Sequence, residues 1–319
     1  MNEQKTVSII MGTYNGEKYI REQLDSILEQ TYPIKEIIIQ DDGSTDGTID
    51  ICEEYANKHT NIRFSRNEHN LGFNLNFKSA AMKATGDYVA VSDQDDVWFP
   101  EKIAKQVEAI GEEYDICFST HLRGVDMEHT RLVSPQYSLE ALLFYGFAGH
   151  TMLFRRDFIQ TEEYWIDKIN YDWSLAVCAQ LHRGIVMIDE PLNWHRLNPE
   201  SACTVALREH GIKDGQNPTY QPYLYGIRNY RRLQQKPNWK RLYTFVFEHT
   251  NEERFALAHQ MSKYMLQGSL WSLLRLCMIC LKHGDQIYYR KGQKGLRGAI
   301  RKFFYPFIFS YNNVNYDSK

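Results

Sequence analysis

Residues 88–98 have the sequence Tyr88-Val89-Ala90-Val91-Ser92-Asp93-Gln94-Asp95-Asp96-Val97-Trp98, and this stretch decides the fold of the chain. An apolar run ends abruptly in three carboxylates within four positions. The run predicts a buried strand with Asp93, Asp95 and Asp96 on the loop at its carboxyl end, where open α/β sheets bind their ligands. Carboxylates this close repel one another unless a cation lies between them. A Mg²⁺ or Mn²⁺ site is therefore one hypothesis, and a solvated turn with a helix N-cap is the other.

Three earlier segments repeat the order of apolar run, polar loop and helical spacing. Their apolar runs cover residues 7–11, 36–40 and 62–65. With the run at 88–92 they form four βα units of about 25–30 residues, which predict a parallel sheet of the nucleotide-binding kind. Carboxyl ends of parallel strands meet at one edge of a sheet, so the polar loops of all four units are expected to share one site.

Predicted elements continue after this unit with fewer parallel strands. They are a helix over about 100–112, strands over 114–120, 150–154 and 185–188, a hairpin turn at 126–129, and helices over 138–145 and 171–181. From about residue 205 onward, helical segments replace strands. The sequence therefore predicts an α/β domain over 1–204, with a mostly parallel sheet flanked by helices, and a helical C-terminal region over 205–319.

Charge and composition support this division. The chain has 319 residues and a net charge of −3. Residues 1–204 carry 18 Lys and Arg against 33 Asp and Glu, whereas residues 205–319 carry 19 against 7. The polar start of the chain does not resemble a secretory signal, no apolar run reaches the length of about 20 residues that spans a bilayer, and the six cysteines lie mostly in apolar segments. A cytoplasmic protein with reduced thiols is expected.

Candidate binding residues follow each of the first four strands. They are Thr13, Tyr14 and Asn15 after the first, Asp41 and Asp42 after the second, Asn70, Gly72 and Asn74 after the third, and Asp93 and Asp95 after the fourth. A base could stack on Tyr14, and Asp42 could accept a hydrogen bond from a pyrimidine imide N–H. Each residue alone is also typical of an ordinary turn. Their joint placement at one sheet edge favours a binding site.

Three motifs carry a resemblance to a known family. They are Val7-Ser8-Ile9-Ile10-Met11-Gly12-Thr13-Tyr14-Asn15, Asp41-Asp42-Gly43-Ser44-Thr45-Asp46, and Gly86-Asp87-Tyr88 with Asp93-Gln94-Asp95-Asp96. In combination they resemble the inverting family 2 glycosyltransferases, which have the GT-A (nucleotide-diphospho-sugar transferase) fold, over about residues 5–200. The form Ser92-Asp93-Gln94-Asp95-Asp96-Val97-Trp98, with Gly149-His150-Thr151-Met152, is most similar to the rhamnosyltransferase-like branch.

The resemblance implies roles for the candidate residues. Thr13, Tyr14, Asn15, Asp42, Gly72, Asn74 and Asp93 would bind the nucleotide sugar, with Asp42 on the base and Asp93 near the ribose or diphosphate. Asp95 would bind a Mg²⁺ or Mn²⁺ ion. Near the diphosphate the family often places a histidine, which makes His195 a candidate metal ligand, although Arg196 with Asn198 could occupy that place instead.

The resemblance also implies a general base and an acceptor wall. The family's base is an acid at the start of a helix, and Asn170-Tyr171-Asp172-Trp173 makes Asp172 the candidate. Its alternative role is a first-turn acid that complements the helix dipole. Trp98, Gly149 and His150 would line the acceptor, with a place in the core as the alternative for Trp98.

The C-terminal region carries a basic cluster followed by aromatic residues. The cluster is Arg290, Lys291, Lys294, Arg297, Arg301 and Lys302, and the aromatics are Phe303, Phe304, Tyr305, Phe307 and Phe309. This pattern suits the surface of an anionic membrane. The alternative is a helical face that packs on its own domain. No nucleic-acid-binding module is recognised in the sequence.

The sequence therefore predicts a metal-dependent, inverting glycosyltransferase. It would move a sugar, with rhamnose as the candidate, from a UDP- or dTDP-linked donor to a saccharide acceptor in cell-surface polysaccharide synthesis. The acceptor could be lipid-linked, with the enzyme peripheral on the inner face of the cytoplasmic membrane. The alternatives are a sugar-phosphate nucleotidyltransferase, which should carry an arginine in the Gly12–Gly16 loop where this chain has none, and a non-catalytic carbohydrate-binding relative.

Overall fold

A computed structural model describes residues 4–198, 220–288 and 294–312 of the chain. These residues belong to two compact units. The first unit contains Met1–Ser134, Ala148–Trp165 and His182–Asn198, and the second contains Pro135–Phe147, Ile166–Leu181 and Pro199–Lys319. The domain boundary predicted at residue 204 lies outside the described residues.

The first unit is built on one mixed sheet. Its strands are β1 (Val7–Thr13), β2 (Glu36–Asp41), β3 (Ile62–Arg66), β4 (Tyr88–Ser92), β5 (Val97–Trp98), β6 (Ile116–Gly124), β7 (Thr130–Val133), β8 (Met152–Arg155) and β9 (Ile185–Arg196). Their order is β3-β2-β1-β4-β8-β6-β9-β5, and β7 pairs with β6. The first four strands pair in parallel, as the sequence predicts, so the carboxyl ends of β1, β2, β3 and β4 lie along one edge.

The other half of the sheet contains most of the differences from the sequence prediction. Strand β8 is antiparallel to both β4 and β6 and so ends the parallel run. Strand β9 is parallel to β6 and extends to Arg196, well beyond the predicted end at residue 188. The short β5, which the sequence prediction lacks, pairs antiparallel with β9. This pairing brings the end of β9 next to the chain that follows the acidic loop.

Helices cover the sheet because one face of each is apolar. In the first unit they are α1 (Ile20–Leu28), α2 (Thr48–Lys58), α3 (Phe73–Met82), α4 (Lys102–Ile110) and α6 (Arg156–Ile159). One buried cluster contains Ile9 and Met11 of β1, Leu24 of α1 and Ile103 of α4. Its strand residues alternate with residues that face the opposite side of the sheet, as expected for a sheet buried on both faces.

The second unit is helical. Its helices are α5 (Leu139–Leu142), α7 (Tyr171–Leu181), α8 (Gln221–Gln234), α9 (Pro237–Glu248), α10 (Ala256–Leu266), α11 (Leu270–Lys282), α12 (Gly284–Ile287), α13 (Gly295–Phe303) and α14 (Tyr305–Asn312). The sequence prediction placed α5 and α7 in the first domain. They belong to the second unit because Trp173 Nε1 donates to the Leu142 carbonyl at 2.6 Å and Tyr243 OH donates to the Leu143 carbonyl at 2.6 Å, both in a buried setting.

The cysteines of the described chain lie in buried positions, as the apolar segments around them predict. Cys52, Cys117, Cys178, Cys277 and Cys280 are free thiols in buried positions, and burial raises the pKa of Cys52 to about 12. Cys203 lies outside the described residues. Among the described helices, none is both long enough and apolar enough to cross a membrane.

Candidate active site

The turn after β2 is built around the buried carboxylate of Asp41. Oδ1 accepts hydrogen bonds from the backbone N–H groups of Gly43 and Ser44 at 3.0 and 2.9 Å. Oδ2 accepts from the hydroxyl of Thr13 at 3.0 Å. Because a buried carboxylate needs such donors, these bonds fix both the turn and the end of β1. Thr13, a predicted nucleotide ligand, therefore positions Asp41.

Asn15 joins the loops that follow β1 and β2. Its φ of 48° lies in the left-handed region that Asn tolerates. Its backbone N–H donates to Ser44 Oγ at 2.9 Å, and its Oδ1 accepts from the backbone N–H of Thr45 at 2.8 Å. The neighbouring Tyr14 has 51% of its surface exposed. A fixed backbone thus presents an accessible aromatic ring at this sheet edge.

The carboxylate of Asp42 holds the loop that follows β3. Oδ1 accepts from Asn67 Nδ2 at 2.8 Å and from the backbone N–H of Leu71 at 2.7 Å. Oδ2 accepts from the backbone N–H of Gly72 at 2.9 Å, and the φ of 78° at Gly72 would strain a residue with a side chain. A carboxylate offers about four lone-pair sites, so these three bonds leave one on Oδ2 for a further donor.

Gln94 connects the acidic loop to the loop after β1. Its Oε1 accepts from the backbone N–H of Tyr14 at 2.9 Å, and its Nε2 donates to the Tyr14 carbonyl at 3.0 Å. A Cβ added at Gly16 would lie 2.2 Å from Gln94 Oε1. Gly16 therefore leaves the space in which this double hydrogen bond forms.

Asp96 lies fully buried between two histidines. Its Oδ1 accepts from His195 Nδ1 at 2.9 Å, its Oδ2 accepts from Asn193 Nδ2 at 3.2 Å, and His150 Nδ1 lies 2.8 Å from Oδ2. The two imidazole rings stack with centroids 4.6 Å apart, and the ring of His121 meets both edge-on. One carboxylate thus joins the acidic loop, the turn Gly149–Thr151 and the end of β9.

Electrostatics decide the charge states in this group. Burial alone would raise the pKa of Asp96, but His150 and His195 outweigh it and hold that pKa well below its usual value. Burial also lowers the pKa of His150, and it lowers the pKa of His121 to about 2. At His195 burial acts in the same direction, but the charge of Asp96 outweighs it and raises the pKa. Asp96 is therefore ionised and His121 neutral at physiological pH.

The other acids of the loop have different surroundings. Burial, and after it the charge of Asp96, raises the pKa of Asp95, whose Oδ2 accepts from Asn198 Nδ2 at 3.0 Å. Arg196 donates from Nε to the Asp95 carbonyl at 3.2 Å. Two adjacent buried carboxylates repel each other, and a cation beside Asp95 would relieve this repulsion.

Part of this group has the donor chemistry of a metal site. Asp93, Asp96, His150 and His195 each offer one ligand atom, and these four atoms lie within 4.8 Å of one another. The Nε2 atom of His150 is buried without a hydrogen-bond partner in the described chain. Carboxylate oxygens and imidazole nitrogens together can hold a divalent transition metal. Asp95, the predicted metal ligand, is not one of the four.

The remaining predicted residues lie in varied surroundings. Asn74 is in the first turn of α3, Gly149 and His150 are buried, and Trp98 in β5 is only 2% exposed. Trp98 is therefore a core residue. The Nζ of the buried Lys102 lies 4.9 Å from its ring centroid, and burial lowers the pKa of Lys102 to about 7. Asp172 is half-buried in the first turn of α7, in the second unit. The acceptor and base roles stay predictions.

The sequence prediction gave no role to several residues that build this site, mainly Gln94, Asn193 and His121. It placed Asp96 among the carboxylates of a metal site or at a helix N-cap, whereas the structure places it between two histidines. Asp96 and Gln94 stand within the quoted motif, and their charge and length could have marked them as linkers. The partners of Asp96 are distant in the chain, so their convergence is a property of the tertiary structure.

Comparison with known proteins identifies the segment of the chain that carries β1 to β8. The sequence profile described as Glycosyl transferase family 2 matches residues 8–166. Residues 8–166 therefore form a domain of this family. The match covers β1 to β4, the acidic loop, and the turn that carries His150, so the loops described above are those of a family 2 glycosyltransferase.

Two curated relatives are similar to part of the chain. The putative glycosyltransferase EpsE of Bacillus subtilis is 42% identical over 108 residues, which are 34% of this chain and 39% of that protein. The dTDP-rhamnosyl transferase RfbG of Shigella flexneri is 39% identical over 119 residues, 35% of this chain and 40% of that protein. The chain therefore matches about two fifths of the length of each relative.

A solved structure supports the fold over a longer range. S. aureus TarS 1-349, crystallised with UDP-GlcNAc, has a TM-score of 0.58 and 18% sequence identity, with coverage of 96% of this chain and 90% of that chain. At this identity the likeness concerns the fold alone. With the mixed sheet and its helices it confirms the predicted GT-A-like α/β fold with C-terminal helices.

The contact between Gly16 and Gln94 gives a prediction for stability. In Gly16→Ala the new methyl group should displace the Gln94 amide and break both hydrogen bonds to Tyr14, at a cost of about 1–2 kcal/mol in the free energy of unfolding. In a Gln94→Ala background the same substitution should cost less than about 0.5 kcal/mol. Urea denaturation of the four proteins measures this coupling.

Gly268→Ala is the matched control, because a Cβ there meets no atom within 4 Å in the described chain. It should change stability by no more than about 0.5 kcal/mol. An equal cost of Gly16→Ala in both backgrounds would show that Gln94 is not the group displaced.

Proposed function

We propose that this protein is a glycosyltransferase that moves a sugar from a nucleotide-diphosphate donor to a hydroxyl group of a saccharide acceptor, with inversion at the anomeric carbon. Family membership and the convergence of four polar loops at the carboxyl ends of β1 to β4 support the proposal. The observation that carries it is the hydrogen-bond network of Asp41, Asp42 and Gln94, which fixes all four loops through contacts within the protein. A preformed edge of this kind suits a nucleotide.

Asp42 supports a donor with an imide N–H on its base. The remaining lone pair on Oδ2 would accept that N–H, and the accessible Tyr14 ring would stack on the base. Uracil and thymine both carry an imide N–H, whereas cytosine has an unprotonated ring nitrogen at the same position. UDP- and dTDP-linked sugars are therefore the proposed donors. The names of the relatives fit this range, since one is a dTDP-rhamnosyl transferase and TarS was crystallised with UDP-GlcNAc.

Residues for a divalent metal lie at the same edge. The bond from His195 Nδ1 to Asp96 would leave Nε2 as the ligand atom of a neutral ring, the arrangement by which a carboxylate orients a metal-binding histidine. Asp93, Asp95 and His195 would hold the ion, and Asp96 would position His195. A mixed set of carboxylates and imidazole fits Mn²⁺ better than Mg²⁺, which prefers oxygen ligands. When bound, the ion supplies Lewis-acid stabilisation of the leaving diphosphate.

Asp172 is the proposed general base. An ionised carboxylate at the first turn of α7 would take the proton of the acceptor hydroxyl as that oxygen attacks the anomeric carbon opposite the leaving group. The resemblance to the family supports this role. Attack from that face would give the inverted product.

The proposed acceptor is a saccharide, with Gly149 and His150 near its site and a lipid-linked form as the candidate. Rhamnose is the candidate donor sugar because of the branch resemblance. Cell-surface polysaccharide synthesis on the inner face of the cytoplasmic membrane is the corresponding setting.

The first test of this function compares nucleotides. With Mn²⁺ present, UDP and dTDP should bind at least about tenfold more tightly than CDP, because a hydrogen bond to a charged group is worth about 1.5–3 kcal/mol. Isothermal titration calorimetry measures the affinities. Equally tight binding of CDP would show that Asp42 does not bind an imide N–H of the base. If no nucleoside diphosphate or nucleotide sugar bound, the proposed function would be overturned.

The second test concerns the base. Asp172→Asn should keep its affinity for the donor and lose about 10²–10⁴-fold in transfer rate, because an amide cannot accept the proton. Release of the nucleoside diphosphate from the donor that binds measures the rate, whereas conversion of that donor with added pyrophosphate into a nucleoside triphosphate and a sugar phosphate would indicate a nucleotidyltransferase. Glu140→Gln, at the first turn of α5 in the same unit, is the matched control and should keep wild-type turnover. Wild-type turnover in Asp172→Asn would place the base elsewhere.

A further inference from the structure

The aromatic residues at 303–309 are not the exposed surface that the sequence pattern suggests. The ring of Tyr305 packs on Phe144 with centroids 4.6 Å apart, and Phe309 packs on Phe144 at 5.0 Å. Phe307 lies 5.8 Å from the ring of Tyr230. These rings form part of the core of the second unit, which agrees with the packing alternative for this segment. A membrane contact would therefore have to use other residues.

Helix α11 exposes an apolar stripe although its opposite side is also apolar. Ser272, Leu276, Cys277 and Cys280 are buried. The exposed residues recur at intervals of one, three or four positions and so lie on one side of the helix. The most exposed is Trp271, at 75%. The set is Leu270, Trp271, Leu274, Arg275, Met278 and Lys282. A soluble helix normally places polar residues on its outer side. The outer side of α11 instead combines large apolar residues with two bases.

Helix α13 repeats this combination beside α11. The two helices pack against each other. On α13 the exposed side chains are those of Leu296, which is 78% exposed, Arg297 and Ile300. We call the exposed residues of both helices the basic–apolar face: Leu270, Trp271, Leu274, Arg275, Met278, Lys282, Leu296, Arg297 and Ile300.

The charge on these helices has one sign. Residues 270–282 and 295–303 contain five Lys and Arg and no Asp or Glu. Lys302 pairs with Asp285 of the short α12 at 2.6 Å. Arg275, Lys282 and Arg297 stand among the exposed apolar residues of the face. Their positive charge complements a negatively charged surface, and the aliphatic and indole groups beside them complement an apolar layer behind that charge.

We propose that the basic–apolar face docks on an anionic lipid bilayer, with Trp271, Leu274 and Leu296 at the boundary between the headgroups and the acyl tails and the arginines on lipid phosphates. Tryptophan favours the membrane–water interface, and basic residues near an anionic surface add electrostatic attraction. RNA could pair with the basic residues, but it has no apolar layer in which the exposed aliphatic side chains would be buried. The inference rests on the proposed function only in that a lipid-linked acceptor would explain the docking, since the binding itself requires no sugar donor.

Co-sedimentation of the full chain with phosphatidylcholine vesicles, with and without phosphatidylglycerol, tests the proposal. Binding should require the anionic lipid and weaken as salt is raised, because exposed charges are screened. Arg275→Gln with Arg297→Gln should weaken binding about tenfold or more. Leu274→Ser with Leu296→Ser should weaken it also at high anionic lipid content. Matched controls are Lys240→Gln, an exposed base of α9, and Leu132→Ser, an exposed apolar residue of β7; both should bind as wild type.

A depth measurement separates insertion from simple attraction. Vesicles with brominated lipid tails should quench the fluorescence of the wild type, and this quenching should fall in Trp271→Phe while sedimentation persists. Binding without a Trp271-dependent quench would overturn docking by this face. The absence of binding to anionic vesicles at low salt would also overturn it. If light scattering then showed a dimer that Leu274→Ser abolishes, the face would be assigned to contact with a second copy of the chain. Donor binding by the same variants in solution should be unchanged, so failure of docking and failure of the proposed enzyme remain distinguishable.

Discussion

The buried carboxylate of Asp96 is the constraint on which the site depends. A charge removed from water is costly unless it is paired, and breaking such a pair by removing one partner typically costs about 3–5 kcal/mol. Asp96 meets this requirement with His195 from β9 and His150 from the turn before β8. The parallel and antiparallel halves of the sheet are therefore tied together at the acidic loop. The extension of β9 to Arg196, next to β6 and β5, is what brings His195 within reach.

The loops at the edge of the sheet are fixed by the same principle on a smaller scale. Asp41 and Asp42 are adjacent buried acids with separate tasks, since Asp41 closes its own turn whereas Asp42 holds the backbone at Gly72. Gln94 adds a neutral amide link between the first and fourth loops. Because protein groups already satisfy most of the lone pairs, a ligand would meet an ordered surface and would pay little for ordering it. Such preorganisation is what a nucleotide site needs.

Local patterns in the sequence are sufficient to predict the parallel half of the fold. The predicted strand at 88–92 coincides with β4. Outside this half, the predicted helix at 171–181 coincides with α7 of the second unit. The role of Asp96 escapes such an analysis because His195 is 99 positions away and only the tertiary structure brings the two together. For the same reason the segments 135–147 and 166–181 appear continuous with the first domain in the sequence, although their apolar faces pack in the second unit. The aromatic residues at 303–309 are recognisable as an apolar segment in the sequence. That they pack into the core follows only from their contacts with Phe144 and Tyr230 in the tertiary structure.

Diffraction at the manganese absorption edge, from crystals soaked with Mn²⁺ and UDP or dTDP, tests whether Asp96 orients His195 toward a metal at the carboxyl ends of the parallel strands. We expect one anomalous peak in contact with His195 Nε2 and with a carboxylate of Asp93 or Asp95, while the bond from His195 Nδ1 to Asp96 is kept. An ordered nucleotide without such a peak, or a peak bound directly by Asp96 and His150, would contradict it.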